Sequence, residues 1–423
     1  MRLMQAAALV AAALVLPACG GAGASKSESS STATNSKAVA PATDAAPHGG
    51  LAMGLSETNP NFFWHGRDVG GLSPWRDKAE ALKPTLYRIT VDWSALQPDP
   101  AKPPNWTVPA DGCIRGQQPC QPFAGIRDVL RALHSEAQAG NGFAPMVVFY
   151  GVPDWAAAPK SGCERPGTAA RSRAISAKGL EGYAKMVASL QALAKAEKVD
   201  IRWWSPWNEP NGTFFISPQR AACSVSSKAL APGVYTKLAR AMKRTLSGDQ
   251  QLVVGELAGF KGRRKFGAGV KEFFGALPDD VLCSAGVIAQ HAYATRAQGA
   301  KDPGPVGDLE EALDKRPCAA KKPIWVTESG VGGPHVGDSR AGTEATIKRD
   351  CRALESTFKR WDADPRVDAA FQYTFRDDPA FPVGLVDAGL TKTWPTYDLI
   401  KAWGGSARKP DGPAPALPQA CAG

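Results

Sequence analysis

The 423-residue sequence predicts an α/β protein closed into a (β/α)8 (TIM) barrel. Three observations lead there. Eight short apolar runs recur along the chain, at 51–55, 86–93, 144–150, 201–207, 251–256, 285–291, 323–328 and 369–375. Most are continuous rather than alternating, as expected of parallel strands buried on both faces. Stretches of helical period fill the gaps between them. Eight strand-then-helix units favour a closed barrel over an open sheet.

The elements follow in chain order. Arg2 supplies a positive start, and Met4 to Val15 is a mostly apolar stretch of about 12 residues, too short for a bilayer span and better read as the core of a signal peptide. Leu16-Pro17-Ala18-Cys19 resembles a bacterial lipoprotein processing box, which implies a signal peptide over 1–18 and lipidation of Cys19. Residues 19–50 are rich in Ala, Ser, Thr, Gly and Pro, cannot build a core, and read as a disordered tether. The barrel domain is predicted over 51–408. Within it, 180–198 carries Leu180, Tyr183, Met186, Val187, Leu190 and Leu193 at helical spacing, and 234–246 and 345–361 look similar. A Pro-rich tail is expected over 409–423, with Cys421 able to pin it back to the domain.

Composition bounds the function. Hydrophobic residues make up 43% and charged residues 21%, as in a soluble globular protein. Fifty Lys+Arg against 40 Asp+Glu give +10, but the basic residues are scattered, and the densest run is only Arg263-Arg264-Lys265. Nucleic-acid binding is therefore not expected. No GxGxxG or GxxxxGK[ST] motif follows a strand, which argues against nucleotide binding. Setting Cys19 aside leaves eight cysteines, an even number consistent with up to four disulfides in an exported chain. Cys113 and Cys120 can close on each other within one loop. Cys163 and Cys223 lie in the long connections after strands 3 and 4, which leave the same barrel face side by side, so they are expected to pair. Absent CxxC spacing, with five histidines and no His/Asp cluster at strand ends, neither a metal nor another cofactor is expected.

The chemistry is carried by two strand ends, Trp207-Asn208-Glu209-Pro210-Asn211 and Ile324-Trp325-Val326-Thr327-Glu328-Ser329-Gly330. Each Glu follows a buried strand and precedes a turn, so both project at the C-terminal face where barrel active sites lie. Strands 4 and 7 lie on opposite sides of the barrel. Two carboxylates facing each other across a sugar suit retaining glycoside hydrolysis, one protonating the leaving oxygen and the other attacking the anomeric carbon.

Over roughly Leu51 to Trp403 these motifs resemble the clan of (β/α)8 retaining glycoside hydrolases that includes cellulase-like and β-xylosidase-like families. The resemblance implies Glu209 as acid/base and Glu328 as nucleophile. It implies that Arg88 contacts the nucleophile, that Asn208 holds the sugar 2-hydroxyl, and that His291 and Tyr293 lie near Glu328, with the tyrosine hydroxyl bonding it. Asp154-Trp155 resembles a turn whose indole stacks on a sugar. The clan's tryptophan at the end of strand 8 is missing; Tyr373 and Phe375 stand in that region, so Tyr373 is the substrate-side candidate. Strand 3 ends Phe149-Tyr150-Gly151 without the histidine of many cellulase-like members. The expected protein is a monomeric, extracytoplasmic hydrolase of β-linked oligo- or polysaccharide, secreted or held at the membrane only by a lipid. A transglycosidase with the same residues and a non-catalytic carbohydrate-binding lipoprotein are the alternatives.

Overall fold

The computed structural model describes residues 50–295, 302–332, 340, 342–404 and 413–423. Signal peptide, Cys19 and nearly all of the tether lie outside the described residues. Eight parallel strands close into a barrel: β1 Ala52–Ser56, β2 Leu86–Asp92, β3 Ala144–Tyr150, β4 Trp203–Ser205, β5 Gln251–Leu257, β6 Ala285–His291, β7 Ile324–Ser329 and β8 Val367–Tyr373. Each strand pairs with its sequence neighbours, and β1 closes the ring by pairing with both β2 and β8. A helix follows every strand: Ser73–Glu80, Gly125–Gln138, Ala177–Ala196, Ala231–Thr245, Val270–Gly275, Gly304–Leu313, Glu344–Asp362 and Pro395–Trp403.

Local chemistry explains several boundaries. Ser176 starts the third of these helices by accepting the Gly179 amide at 3.0 Å. Pro232 sits in the first turn of the fourth, where its missing N–H costs nothing. β4 is shorter than the predicted 201–207: it pairs with β3 only over Trp203–Ser205 and with β5 only over Trp203–Trp204.

Two apolar layers hold the barrel. Alternate residues pack outward against the helices, among them Tyr87, Ile89, Val91, Val147, Phe149 and Val326. The others fill the barrel interior: Leu86, Met146, Trp203, Val253, Val287, Ala289, Trp325, Ala369 and Phe371. Trp203 and Trp325 meet edge-on across this interior at 4.8 Å. This plug closes the bottom of the barrel and leaves the polar strand ends to form the top.

Four disulfides join Cys113–Cys120, Cys163–Cys223, Cys283–Cys318 and Cys351–Cys421. The expected Cys163–Cys223 link forms with Cα atoms 4.9 Å apart. The C-terminal residues are not a free tail. Cys421 is buried, Ala414 and Leu417 pack on the core, and Arg352 Nη1 donates to the Cys421 carbonyl at 2.8 Å. Four disulfides suit an oxidising, extracellular setting. Among the described residues, no helix is long and apolar enough to cross a membrane.

Candidate active site

Alternation along β2 turns Arg88 inward, above Leu86. Its guanidinium is fully buried at the centre of the barrel mouth. Nε and Nη2 donate to Glu256 Oε2 at 2.9 and 2.6 Å, and Nη1 lies 2.9 Å from Glu328 Oε1. Nη2 also donates to Asn208 Oδ1 at 2.6 Å, and Nη1 to Ser56 Oγ at 3.0 Å. Burial disfavours the cation, but the charges of Glu256 and Glu328 outweigh it and keep Arg88 charged.

Alternation alone would send Glu256 and Glu328 outward. Val253 and Trp325 face the interior, so residues 256 and 328 fall on the helix side. Both strands break register at these points. The β5–β6 ladder slips between Gly255 and Leu257, and the β6–β7 ladder slips between Gln290 and His291. Such bulges re-aim side chains. Glu256 takes φ +59°, and Glu209, just past β4, takes φ +37°. Left-handed backbone costs a non-glycine residue on the order of 1–3 kcal/mol and gathers at functional sites. The two strained residues are bonded to each other, the Glu209 amide donating to the Glu256 carbonyl at 2.8 Å.

His291 ends β6 and connects the carboxylates. Its Nδ1 lies 3.0 Å from Glu209 Oε1 and 3.4 Å from Glu328 Oε2, and its Nε2 lies 3.3 Å from Glu256 Oε2. Burial by itself would lower the imidazole pKa, but Glu328, Glu209 and Glu256 together raise it to about 10. Burial would raise the Glu256 pKa; Arg88 and His291 overcome it and hold the carboxyl at about 2. The Tyr293 hydroxyl donates to Glu328 Oε2 at 2.7 Å. Burial and the Glu328 charge push its pKa well up, so it remains a donor. The nucleophile candidate therefore has both oxygens held, one by Arg88 and one by Tyr293. Ligating atoms of Glu209, His291 and Glu328 all lie within 4.8 Å of one another. Two carboxylates and an imidazole are ligand types for a divalent ion, and His291 offers a ring lone pair to one only when neutral.

A cavity of about 590 Å³ opens beside this cluster. Glu209, His291, Tyr293, Phe214, Phe260, Lys261, Asp302 and Phe381 are among its lining residues. Tyr373 stands near it, edge-on to Tyr293 at 6.5 Å and to Phe381 at 6.0 Å. The structure thus gathers Arg88, Asn208, Glu209, His291, Tyr293, Glu328 and Tyr373. Trp155 is placed differently. Its ring packs edge-on against Trp93 at 5.4 Å, its indole N–H donates to the Gln97 carbonyl at 2.9 Å, and it does not line this cavity. Phe375 is fully buried against Phe62. Glu256 was not legible as a site residue, since its run Gln251-Leu252-Val253-Val254-Gly255-Glu256 carries no motif. The one available signal was a charged residue ending an apolar strand. Phe214 and Phe381 belong to loops and left no periodic trace.

No protein-family model and no curated protein matches the chain. Solved structures do. A GH5_18 protein from Streptomyces cattleya, in complex with GlcNAc, is 16% identical with a TM-score of 0.51, over 87% of this chain and 83% of its own. A single-substitution variant of that GH5_18 protein, in complex with Manβ1-4GlcNAc, aligns over 86% and 83% at the same score and identity. SrfJ from Salmonella typhimurium has a TM-score of 0.52 at 9% identity, over 86% and 77%. The chain shares the (β/α)8 barrel of these proteins.

Proposed function

We propose that this protein is a retaining glycoside hydrolase that cleaves O-glycosidic bonds, β-linked, in an extracellular oligo- or polysaccharide. The observation that carries the reading is the pair of strand-end carboxylates converging on one imidazole nitrogen, with Glu209 Oε1 3.0 Å and Glu328 Oε2 3.4 Å from His291 Nδ1. Retaining enzymes set their carboxyls about 5–5.5 Å apart, and inverting ones leave about 6.5–9.5 Å for a water. Glu328, oriented by Arg88 and Tyr293, attacks the anomeric carbon as the bond to the leaving oxygen breaks. Glu209 gives that oxygen its proton. Glu209 then takes a proton from water, whose oxygen displaces Glu328 and restores the free enzyme. Asn208, fixed by Arg88, is positioned for the 2-hydroxyl, and Tyr373 for the far side of the sugar. The carbohydrate complexes of the GH5_18 barrel agree with this substrate class. Export and a lipid anchor at Cys19 complete the reading.

The test is NMR of the first-formed product during cleavage of a β-linked substrate. A retained anomer is expected; an inverted one removes Glu328 as nucleophile. No metal should be required, so loss of activity in EDTA would count against the scheme.

A further inference from the structure

We infer that the loop after β4 builds a leaving-group subsite for a neutral oligosaccharide, with Phe214 as its sugar-stacking platform. The inference rests on the hydrolase reading and extends it to the far side of the scissile bond.

Among the described residues Phe214 is the most exposed large apolar side chain, at 79%. A lone exposed phenylalanine needs no explanation. This one follows Glu209 by five residues and lines the same cavity. The group that receives Glu209's proton must leave on this side.

The backbone around the ring is pinned. Asn211 donates to the Ala258 and Ala268 carbonyls at 2.8 and 3.0 Å and accepts the Ala258 amide at 2.9 Å. Ser172 Oγ donates to the Phe214 carbonyl at 2.7 Å, and the Trp207 indole to the Phe215 carbonyl at 2.9 Å. Phe215 turns inward and meets Tyr150 edge-on. The chain therefore presents one apolar ring to solvent on a fixed loop, next to the acid. A pyranose offers such a ring its C–H face, and little ordering entropy remains to be lost on binding.

The same cavity supplies polar partners. Lys261 Nζ lies 3.1 Å from Asp302 Oδ2, a donor and an acceptor side by side in the cavity. A second cavity of about 830 Å³ shares Lys261, Asp302 and Gly304 with the first, so the cleft continues away from Glu209 past Lys228, Arg263 and Lys271. Its carboxylates are matched by cations: Glu272 by Arg220 and Arg263, Asp302 by Lys261, and Asp308 by Lys271. With Lys228 as one further cation, most of this wall's charges are paired, and it offers hydroxyl-binding groups without a strong field, which suits a neutral glycan rather than a uronate.

The experiment compares wild type, Phe214→Ala and Phe214→Trp. Neutral β-1,4 cello-, manno-, xylo- and chito-oligosaccharides of two to six units are screened on wild type, and the fastest series is used. Its glycosyl fluoride, which carries no leaving-group sugar, is the reference. Removing a ring that a sugar would cover should lower kcat/KM on the oligosaccharides about tenfold or more. Hydrolysis of the fluoride should change less than about twofold, and Phe214→Trp should restore the loss. On wild type, kcat/KM should rise as sugars are added on the leaving side. Equal losses on both substrates, or no loss on either, would overturn the subsite while leaving the hydrolase reading intact. Preference for hyaluronan fragments with steep salt dependence would overturn the neutral leaving group. A wild type inactive on fluoride and oligosaccharides alike would sink the hydrolase reading, and the subsite with it.

Discussion

Replacing Glu256 by Gln isolates the charge at the centre of the site. The amide keeps the shape and one acceptor, so Arg88 retains a hydrogen bond. What disappears is the negative charge shared between Arg88 Nε and Nη2 and His291 Nε2. Two buried cations then face Glu328 and Glu209 alone. Removing one partner of a buried pair costs about 3–5 kcal/mol, and the surviving acceptor argues for the lower end. For a domain of this size about 3 kcal/mol corresponds to a Tm lower by roughly 4 °C. The loss also has a pH signature. The His291 pKa is raised from 6.5 to about 10, so its stabilisation is complete below pH 6.5 and lost as pH rises through about 10. The Glu256 pKa is depressed from 4.5 to about 2, so its stabilisation is complete above pH 4.5 and lost as pH falls through about 2. The Tm gap between wild type and Glu256→Gln should therefore be widest between pH 4.5 and 6.5 and should narrow towards pH 10. Thermal scans by circular dichroism across pH 4 to 10 would check it, about that range being accessible before acid denaturation intervenes. A gap that stays constant from acid to alkali, or no gap at all, would refute the charge-sharing account of the site.

The two catalytic carboxylates should separate in their mutant behaviour. Glu328→Ala should lose turnover even with activated aryl leaving groups, whereas Glu209→Ala should keep glycosylation and regain its second step with azide; a retained glycosyl azide from Glu328→Ala would reverse the roles. Tyr293→Phe removes the 2.7 Å bond to Glu328 Oε2. A hydrogen bond to a charged group contributes about 1.5–3 kcal/mol, so kcat/KM should fall about 10- to 150-fold with the fold intact by circular dichroism. Cys163 and Cys223 enclose a 60-residue separation. Replacing both by Ser should cost roughly 4 kcal/mol in denaturant titrations, less any native strain, and an unchanged midpoint would exclude a stabilising link.

The sequence determined most of the architecture, because a strand buried on both faces must be an apolar run, whatever lies around it. Eight such runs gave eight strands, two of their ends located Glu209 and Glu328, and the family resemblance of those motifs pointed to Arg88, Asn208, His291 and Tyr293. The loop pair at Cys163 and Cys223 was legible because neighbouring barrel units send their loops to one face. The tertiary structure alone decided where those side chains aim. A period of two would turn Glu256 and Glu328 away from Arg88, and only the slipped registers at Gly255–Leu257 and Gln290–His291 bring them to it. Those slips arise between chains far apart in sequence, so no local pattern encodes them. For the same reason Glu256 looked like an ordinary strand end until Arg88, 168 residues away, was found against it. Trp155 shows the converse: its turn looks like a sugar platform in sequence, but Trp93 and the Gln97 carbonyl engage the indole first. Phe214 sits on a loop pinned by hydrogen bonds, and apart from Trp207 those partners come from elements 40 or more residues distant.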